Sequence, residues 1–269
     1  MDFRTIVHID KPTFAIQPCE RMLFVGSCFA ENIGKRFEEE RFHTTINPFG
    51  VMYNPASVLH TVAKTDAVAR VAVVTLGTNH VYRLRETGDI VDNCEKRPAR
   101  LFVEEELTVD ACVGYLSQAV ELLQSRDSQV RVIVTVSPIR YAKYGYPKSQ
   151  LSKATLLLAA HELVKRHPSV VTYFPAYEIM NDELRDYRFY RADMLHPSDQ
   201  AVEYFWQRFS ETIFAPETHR FIEEWEPVKK ALAHKPFHPE ALEYKMLMEK
   251  TRQRITEMKS RYPAFESPL

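Results

Sequence analysis

Two short segments of this chain carry residue types that could act together as a nucleophile and a base. In the first, residues 22–30 (MLFVGSCFA), Ser27 follows an apolar run and Gly26. The run predicts a short strand, and the residues after Ser27 have the apolar spacing of a helix. A hydroxyl at a strand-to-helix turn stands clear of the sheet, and backbone N–H groups at the helix start can stabilise an oxyanion. Ser27 is therefore a candidate nucleophile; the alternative is an N-cap, a position that serine favours.

The second segment, residues 191–198 (RADMLHPS), could supply the base. Asp193 lies three residues before His196, where a predicted helix begins. A serine needs a base to take its proton, and the base needs a carboxylate to hold its tautomer and stabilise its charge. Asp193 and His196 could provide both from one turn. The alternative is an Asx-turn beside an incidental surface histidine.

The cysteines offer a competing nucleophile but no metal site. Cys28 directly follows Ser27, so a thiol could take the role of the hydroxyl. We favour Ser27, because cysteine is most often a small buried hydrophobe. The four cysteines, Cys19, Cys28, Cys94 and Cys112, form no Cys-x-x-Cys pair, so we expect no structural zinc.

The segment Gly26-Ser-Cys-Phe-Ala30 resembles the signature of the GSCFA domain family, a branch of the SGNH/GDSL hydrolase superfamily. Further matching stretches lie at residues 47–50, 75–78, 93–94, 136–140, 152–154 and 193–197. The resemblance implies a flavodoxin-like fold and cleavage of ester bonds on small or carbohydrate substrates. It also implies that Ser27, Asp193 and His196 form a catalytic triad, because they match the family's order along the chain.

The resemblance also implies an oxyanion hole, with two departures from the usual pattern. The superfamily block reads Gly-Asp-Ser, whereas here Ser27 directly follows the glycine. The implied donors are the backbone N–H groups of Ser27 and Gly50, with an asparagine side chain as the third. We favour Asn79, because residues 77–80 (GTNH) resemble the Gly-x-Asn-Asp block, and Asn47 is the competing candidate.

Three residues near these blocks are candidates for binding the substrate. His80 replaces the aspartate of the Gly-x-Asn-Asp block. Arg140 follows a predicted strand and a Ser-Pro turn, where it could hold an acidic group or pair with a surface carboxylate. Tyr141 stands where relatives commonly carry a histidine, so it could alter the specificity.

Apolar runs alternate with helical patterns along most of the chain. This alternation predicts a three-layer α/β/α sandwich with a central parallel sheet, which binds ligands at the carboxyl ends of its strands. Residues 81–85 could form part of a short hairpin beside the site. The predicted strands are 22–25, 71–76, 130–136 and 170–174, and the predicted helices are 30–42, 56–63, 109–124 and 153–165.

The charge pattern changes near residue 216, which predicts a hydrolase domain at 1–215 and a C-terminal helical extension at 216–269. Pro236 and Pro239 divide the extension into two helices. We expect the extension to pack on the core; the alternative is an arm that forms a homodimer. The last helix would bury an apolar stripe made of Tyr244, Leu247, Met248 and Ile255.

Composition and net charge limit the kinds of partner that we expect the protein to bind. Hydrophobic residues make up 45% and charged residues 26% of the 269 residues, and the formal net charge is -1. No global charge attracts nucleic acid or a membrane surface, and no leader or membrane-spanning run is evident, so we expect a cytoplasmic protein. We predict a serine esterase that removes a short acyl group, such as acetyl, from a carbohydrate or other small-molecule ester without cofactor or metal. The alternative class is a non-catalytic binding module that retains the fold.

Overall fold

The computed structural model describes residues 4–268 and has α/β architecture. Eight strands and eight α-helices account for most of the regular structure. In chain order the strands are β1 (Arg21–Gly26), β2 (His43–Ile46), β3 (Val71–Leu76), β4 (His80–Leu84), β5 (Ile90–Val91), β6 (Phe102–Glu106), β7 (Arg131–Val136) and β8 (Val171–Tyr173). The helices are α1 (Cys28–Glu39), α2 (Pro55–Lys64), α3 (Val109–Arg126), α4 (Tyr146–Arg166), α5 (Ala176–Glu178), α6 (Asp199–Ile213), α7 (Pro216–Ala233) and α8 (Leu242–Arg261).

The central sheet has five parallel strands in the order β2-β1-β3-β7-β8. Successive side chains on a strand point to opposite faces, so each strand contributes to two apolar layers. In β1, Leu23 and Val25 pack in the layer with α2, α3 and α4, whereas Met22 and Phe24 pack in the layer with α1 and α6. This arrangement confirms the predicted three-layer fold, and its buried faces explain why the inner strands are apolar along their whole length.

The edges of the sheet differ most from the prediction. The helix predicted at 30–42 ends at Glu39, because Arg41 adopts a left-handed backbone with φ 64°. The chain then forms β2, which was not predicted because its four residues (HTTI) are only half-buried. Helix α4 begins earlier than expected, at Tyr146, because Pro147 is compatible with the first turn of a helix.

Strands β4, β5 and β6 form a separate antiparallel sheet, in which β4 occupies the centre. The hairpin predicted around residues 81–85 is confirmed, and β6 is its longer partner. Because β4 begins only four residues after the end of β3, this small sheet stands beside the carboxyl edge of the central sheet.

Helices α7 and α8 pack against each other, and α7 also contacts the end of α1. The Trp225 indole N–H donates to the Glu39 carbonyl oxygen at 3.0 Å, and Lys229 Nζ donates to Glu40 Oε1 at 2.6 Å. The apolar stripe predicted on α8 is only partly buried, because Ile255 is buried but Leu247 is 38% exposed. The buried face of α8 consists of Thr251, Ile255 and Met258.

The division at residue 215 remains a prediction, although α7 begins at Pro216. None of the helices within residues 4–268 combines the length and the apolar character needed to cross a bilayer.

Candidate active site

The Asp193–His196 turn precedes α6 and forms an aligned pair of side chains. His196 Nδ1 lies 2.6 Å from Asp193 Oδ2, and Asp193 Oδ1 accepts the backbone N–H groups of Leu195 and His196 at 2.8 and 3.0 Å. The backbone hydrogen bonds from His196 and Leu195, followed by the His196 side chain, lower the pKa of Asp193 to about 2. An ionised Asp193 accepts the Nδ1 proton, which leaves Nε2 as the acceptor that a general base requires.

The same turn is bonded to the segment that follows β7. The Arg140 backbone N–H donates to the Leu195 carbonyl oxygen at 3.0 Å, and Arg140 Nη1 donates to the Met194 carbonyl oxygen at 3.0 Å. Met194 adopts a left-handed backbone with φ 58°, which lets the turn double back. These contacts fix Asp193 and His196 at the carboxyl edge of the sheet, although both side chains remain partly exposed.

Ser27 is fully buried and serves as the N-cap of α1. Its Oγ accepts the Phe29 backbone N–H at 3.2 Å and lies 3.0 Å from Thr75 Oγ1. No hydrogen bond joins Ser27 to His196 in the part of the chain that the structure describes, residues 4–268. The structure thus assembles the Asp193–His196 pair, while the role of Ser27 as nucleophile stays a prediction.

Cys28, the next residue, has a different environment. It is the first residue of α1 and is half-buried. Burial first, and then the neighbouring Cys28 thiol, raises the pKa of Tyr53. Burial raises the pKa values of Cys19 and Cys112 to about 12, so Cys28 and Cys94 are the more accessible thiols.

The predicted oxyanion donors are already engaged. The Ser27 N–H is bonded to Thr75, with Oγ1 at 2.9 Å and the carbonyl oxygen at 3.1 Å. The Gly50 N–H donates to the Asn47 carbonyl oxygen at 2.8 Å. Neither N–H is free in this structure, so both backbone assignments stay predictions that require these hydrogen bonds to be released.

The two candidate asparagines differ in how far their side-chain amides are engaged. Asn79 Nδ2 donates one hydrogen bond, to the Leu107 carbonyl oxygen at 2.8 Å. Asn47 Oδ1 accepts the Gly26 N–H at 2.9 Å, and Asn47 Nδ2 is buried without a partner. Asn47 Nδ2 is thus the less engaged donor, and the choice between Asn79 and Asn47 stays a prediction.

A cavity of about 280 Å³ opens beside Tyr53 and Tyr141. The His80 ring, which is 5% exposed, lines it and stacks on Tyr144 with 3.8 Å between ring centroids, while its Nδ1 contacts Glu104 at 2.9 Å. Most of the lining is aromatic or polar, and the residues are Val51, Tyr53, Asn54, Thr78, His80, Tyr82, Val91, Asp92, Asn93, Cys94, Tyr141, Lys143 and Tyr144. Small-ligand sites combine apolar walls with a few polar groups in this way.

Arg140 lines a different cavity, of about 260 Å³, together with Gln150, Tyr187 and Tyr190. Its guanidinium lies over the ring of Tyr146, 4.3 Å from the centroid. The three predicted substrate-binding residues are therefore divided, with His80 and Tyr141 in one cavity and Arg140 in the other. No three His, Cys, Asp or Glu side chains within the described residues cluster closely enough to hold a metal ion.

Lys153 is a buried residue of this edge that sequence reasoning missed. Its Nζ donates to the carbonyl oxygens of Gly77 at 2.8 Å and Ser137 at 2.7 Å, which joins the ends of β3 and β7. Burial lowers the pKa of Lys153 to about 7. The available signal was its spacing, because residues 149, 153, 156, 160 and 163 share one face of α4.

Solved structures offer only distant similarities. A mutant of an acetyl esterase, solved with acetate ion, is 11% identical, with a TM-score of 0.45 over 76% of this chain and 99% of that one. A carbohydrate esterase family 3 protein from Talaromyces cellulolyticus is 11% identical, with a TM-score of 0.42 and the same coverage. A protein from Lactobacillus plantarum is 13% identical, with a TM-score of 0.46 over 74% of this chain and 100% of that one. Similarity at this level does not establish the reaction.

Comparison with curated proteins finds no match. Family models give a clearer answer. The GSCFA family model matches residues 21–69 and 59–209, which include β1, both turns of the site and the central sheet. The model of the GSCFA domain protein C-terminal domain matches residues 225–267, which include α8. The chain therefore belongs to the GSCFA family.

Proposed function

We propose that this protein hydrolyses a small acyl ester and that His196 is the general base of the reaction. The observation that carries the proposal is the 2.6 Å contact between His196 Nδ1 and an Asp193 carboxylate that remains ionised above about pH 2. A carboxylate fixes the ring tautomer and stabilises the imidazolium that forms when Nε2 takes a proton. The nucleophile comes from the turn at residues 26–28, where the sequence pattern favours Ser27.

The size of the cavity beside Tyr53 and Tyr141 supports a small acyl group. At about 280 Å³ it lies at the low end of the volumes that ligand pockets span, roughly 300–1,000 Å³. An acetyl ester of a carbohydrate or of another small alcohol fits a cavity of this volume. Its tyrosine faces offer apolar contact, and their hydroxyls can hydrogen-bond to a polar alcohol.

The proposed reaction has two half-reactions. The nucleophile attacks the ester carbonyl carbon while His196 Nε2 takes its proton, and the alcohol then leaves with that proton. In the second half, His196 takes a proton from water, the water attacks the acyl-enzyme, and the acid is released. Asp193 remains ionised throughout.

A panel of acetyl, butyryl and octanoyl esters of one chromogenic alcohol tests the proposal. We expect the acetyl ester to be hydrolysed fastest, and His196→Ala to lower kcat by at least about 10⁴-fold. His234→Ala is the matched control, because His234 is an exposed histidine at the end of α7. Equal rates for His196→Ala and wild type would contradict the assignment of the base.

A second candidate function is a binding module that retains the fold without the chemistry. The observation in its favour is that Ser27 and the predicted backbone oxyanion donors are all engaged in internal hydrogen bonds. Saturable binding of an acetylated sugar, measured by calorimetry, with no turnover of any ester in the panel would favour this alternative.

A further inference from the structure

We infer that the nucleophile of this site is the Cys28 thiol rather than the Ser27 hydroxyl, with the Tyr141 hydroxyl as the oxyanion donor. This inference rests on the proposed function for its substrate, but the reactivity of the thiol can be measured separately. It begins with the contrast between two adjacent residues. Ser27 is fully buried, whereas Cys28 is half-buried and lies near Tyr53, one of the tyrosines that line the cavity.

The Ser27 hydroxyl is held by two contacts that a nucleophile would have to give up. Its Oγ accepts the Phe29 N–H and lies against Thr75 Oγ1, with none of its side chain exposed. Freeing it would remove the N-cap of α1 and leave buried polar groups without partners. In this geometry Ser27 therefore has the structural role of a cap.

The Cys28 thiol needs no such rearrangement. It is half-buried on the first turn of α1, and its side chain does not cap the helix. It lies near Tyr53, which belongs to the wall of the 280 Å³ cavity, although Cys28 is not itself one of the lining residues. A ligand that contacts Tyr53 would therefore be close to this thiol.

An independent observation points to the same place. The Tyr141 hydroxyl oxygen is buried and has no hydrogen-bond partner. It lies over Gly77, where an added Cβ would be 2.5 Å from it. Burial first, and then Tyr53 and Cys28, raises the pKa of Tyr141 well above its usual value, so the hydroxyl keeps its proton. A protonated, unpartnered donor beside the thiol is the group that a developing oxyanion requires.

The base lies on the same edge. Tyr141 directly follows Arg140, whose backbone N–H and guanidinium hold the carbonyl oxygens of Leu195 and Met194 on the His196 turn. The His196 turn and the Tyr141 donor are thus linked through one segment after β7. No hydrogen bond joins His196 to Cys28 within residues 4–268, and catalytic contacts commonly tighten only when substrate binds.

The chemistry balances without a further reactant. The Cys28 sulfur bonds to the carbonyl carbon, its proton passes to His196 Nε2, and the Tyr141 O–H stabilises the oxyanion. The carbon–oxygen bond to the alcohol then breaks, and the alcohol leaves with the proton from His196. Water hydrolyses the resulting thioester, again through His196, which releases the acid and restores the thiol.

Alkylation by iodoacetamide, followed by mass spectrometry of the modified cysteines, tests Cys28 without any ester. We expect Cys28 to react at least tenfold faster than Cys94, and His196→Ala to remove most of that difference, because the base is lost. If Cys28 reacts no faster than Cys94, the inference is overturned. If Cys28 reacts faster and depends on His196, yet no ester is hydrolysed, the thiol assignment holds and the proposed function fails.

Ester hydrolysis by variants then distinguishes Cys28 from Ser27 as the nucleophile. We expect Cys28→Ala to lower kcat by at least about 10³-fold. Ser27→Gly should cost less than tenfold, because glycine is a tolerated N-cap. Thermal unfolding checks that both variants fold, and Ser27→Thr, which keeps a capping hydroxyl, replaces Ser27→Gly if that variant does not. The reverse pattern, with Cys28→Ala active and Ser27→Gly inactive, overturns the inference.

Tyr141→Phe tests the oxyanion donor. This variant keeps the ring that packs over Gly77 and removes only the hydroxyl. We expect kcat to fall by about 10²–10³-fold with little change in KM, since the hydroxyl acts only in the transition state. Tyr146→Phe is the control, because Tyr146 is 45% exposed and lies outside the cavity. An unchanged kcat in Tyr141→Phe overturns this part of the inference.

Discussion

The two turns of the site are built in opposite ways. The turn from Asp193 to His196 is exposed, and its side chains hydrogen-bond to each other and to their own backbone. The turn from Gly26 to Cys28 is mostly buried, and its bonds reach Thr75 and Asn47 in neighbouring parts of the sheet edge. When the hydrogen bonds of a turn are local, the side chains that remain available for chemistry can be identified from the sequence of the turn itself. When a turn is hydrogen-bonded to distant residues, the available groups depend on which bonds those residues form.

The largest effect on kcat should come from a substitution in the exposed turn from Asp193 to His196. Asp193→Asn removes the carboxylate that fixes the His196 tautomer, so we expect kcat to fall by roughly 10⁴-fold. Since the pKa of Asp193 is lowered to about 2, it protonates only near that pH. The kcat of wild type should therefore exceed that of Asp193→Asn throughout the range from about pH 5 to 9.

Measuring kcat for both proteins across that range checks the prediction, with thermal unfolding as the control for folding. Asp199→Asn is the matched variant, because Asp199 is an exposed carboxylate only a few residues away that pairs with Arg191. Equal kcat values for wild type and Asp193→Asn would mean that another group controls the tautomer of His196.

The buried turn from Gly26 to Cys28 should be sensitive to a change in its backbone conformation. Gly26 has φ +137°, and an added Cβ would overlap the Thr75 carbonyl oxygen, which is rigid backbone. We expect Gly26→Ala to lower the free energy of unfolding by about 3 kcal/mol or more, since both the conformation and the space are unsuitable. Urea denaturation measures the change.

Gly114→Ala is the control for Gly26→Ala. Gly114 lies within α3 and has open space where the Cβ would be, so alanine should stabilise the protein by about 0.5–1 kcal/mol. Equal stabilities for the two variants would show that the Gly26–Ser27 turn can move away from Thr75, which would reopen the case for Ser27 as the nucleophile.

This contrast also explains which features could be predicted from the sequence. The inner strands β3 and β7 were predicted because both of their faces are buried, which requires continuous apolar runs. Edge strand β2 was missed, because a half-buried strand of mixed residues has no such run. The end of α1 depends on the left-handed backbone of Arg41, which its residue type does not indicate.

At the site, the Asp193–His196 pair was predictable because its geometry is contained within one turn. The state of Asn79 was not, because it depends on Leu107, a residue 28 positions away. For Cys28 a signal existed in the chain. In the superfamily's Gly-Asp-Ser block the serine stands two residues after the glycine, and two residues after Gly26 is Cys28.

The smallest of the expected effects concerns Lys153, which lies beneath both turns and joins the ends of β3 and β7. Burial lowers its pKa from 10.5 to about 7 in the folded protein. Between about pH 7 and 10.5 the unfolded chain therefore binds a proton that the folded protein does not, so Lys153 contributes stability that grows as the pH rises through this window. Below about pH 7 the lysine is charged in both states, and the full cost of burying its charge applies.

Lys153→Met keeps the volume of the side chain and removes the titration. Because the variant loses two hydrogen bonds to carbonyl oxygens, its free energy of unfolding also changes by an amount that does not depend on pH. Relative to this variant, wild type should gain about 1–3 kcal/mol of unfolding free energy between pH 6.5 and pH 9, measured by urea denaturation. Lys148→Met, at an exposed position near the start of α4, should show no such trend. A flat difference between wild type and Lys153→Met would mean that the carbonyl oxygens of Gly77 and Ser137 keep the ammonium charged, and that the strand ends carry a fixed positive charge beneath the site.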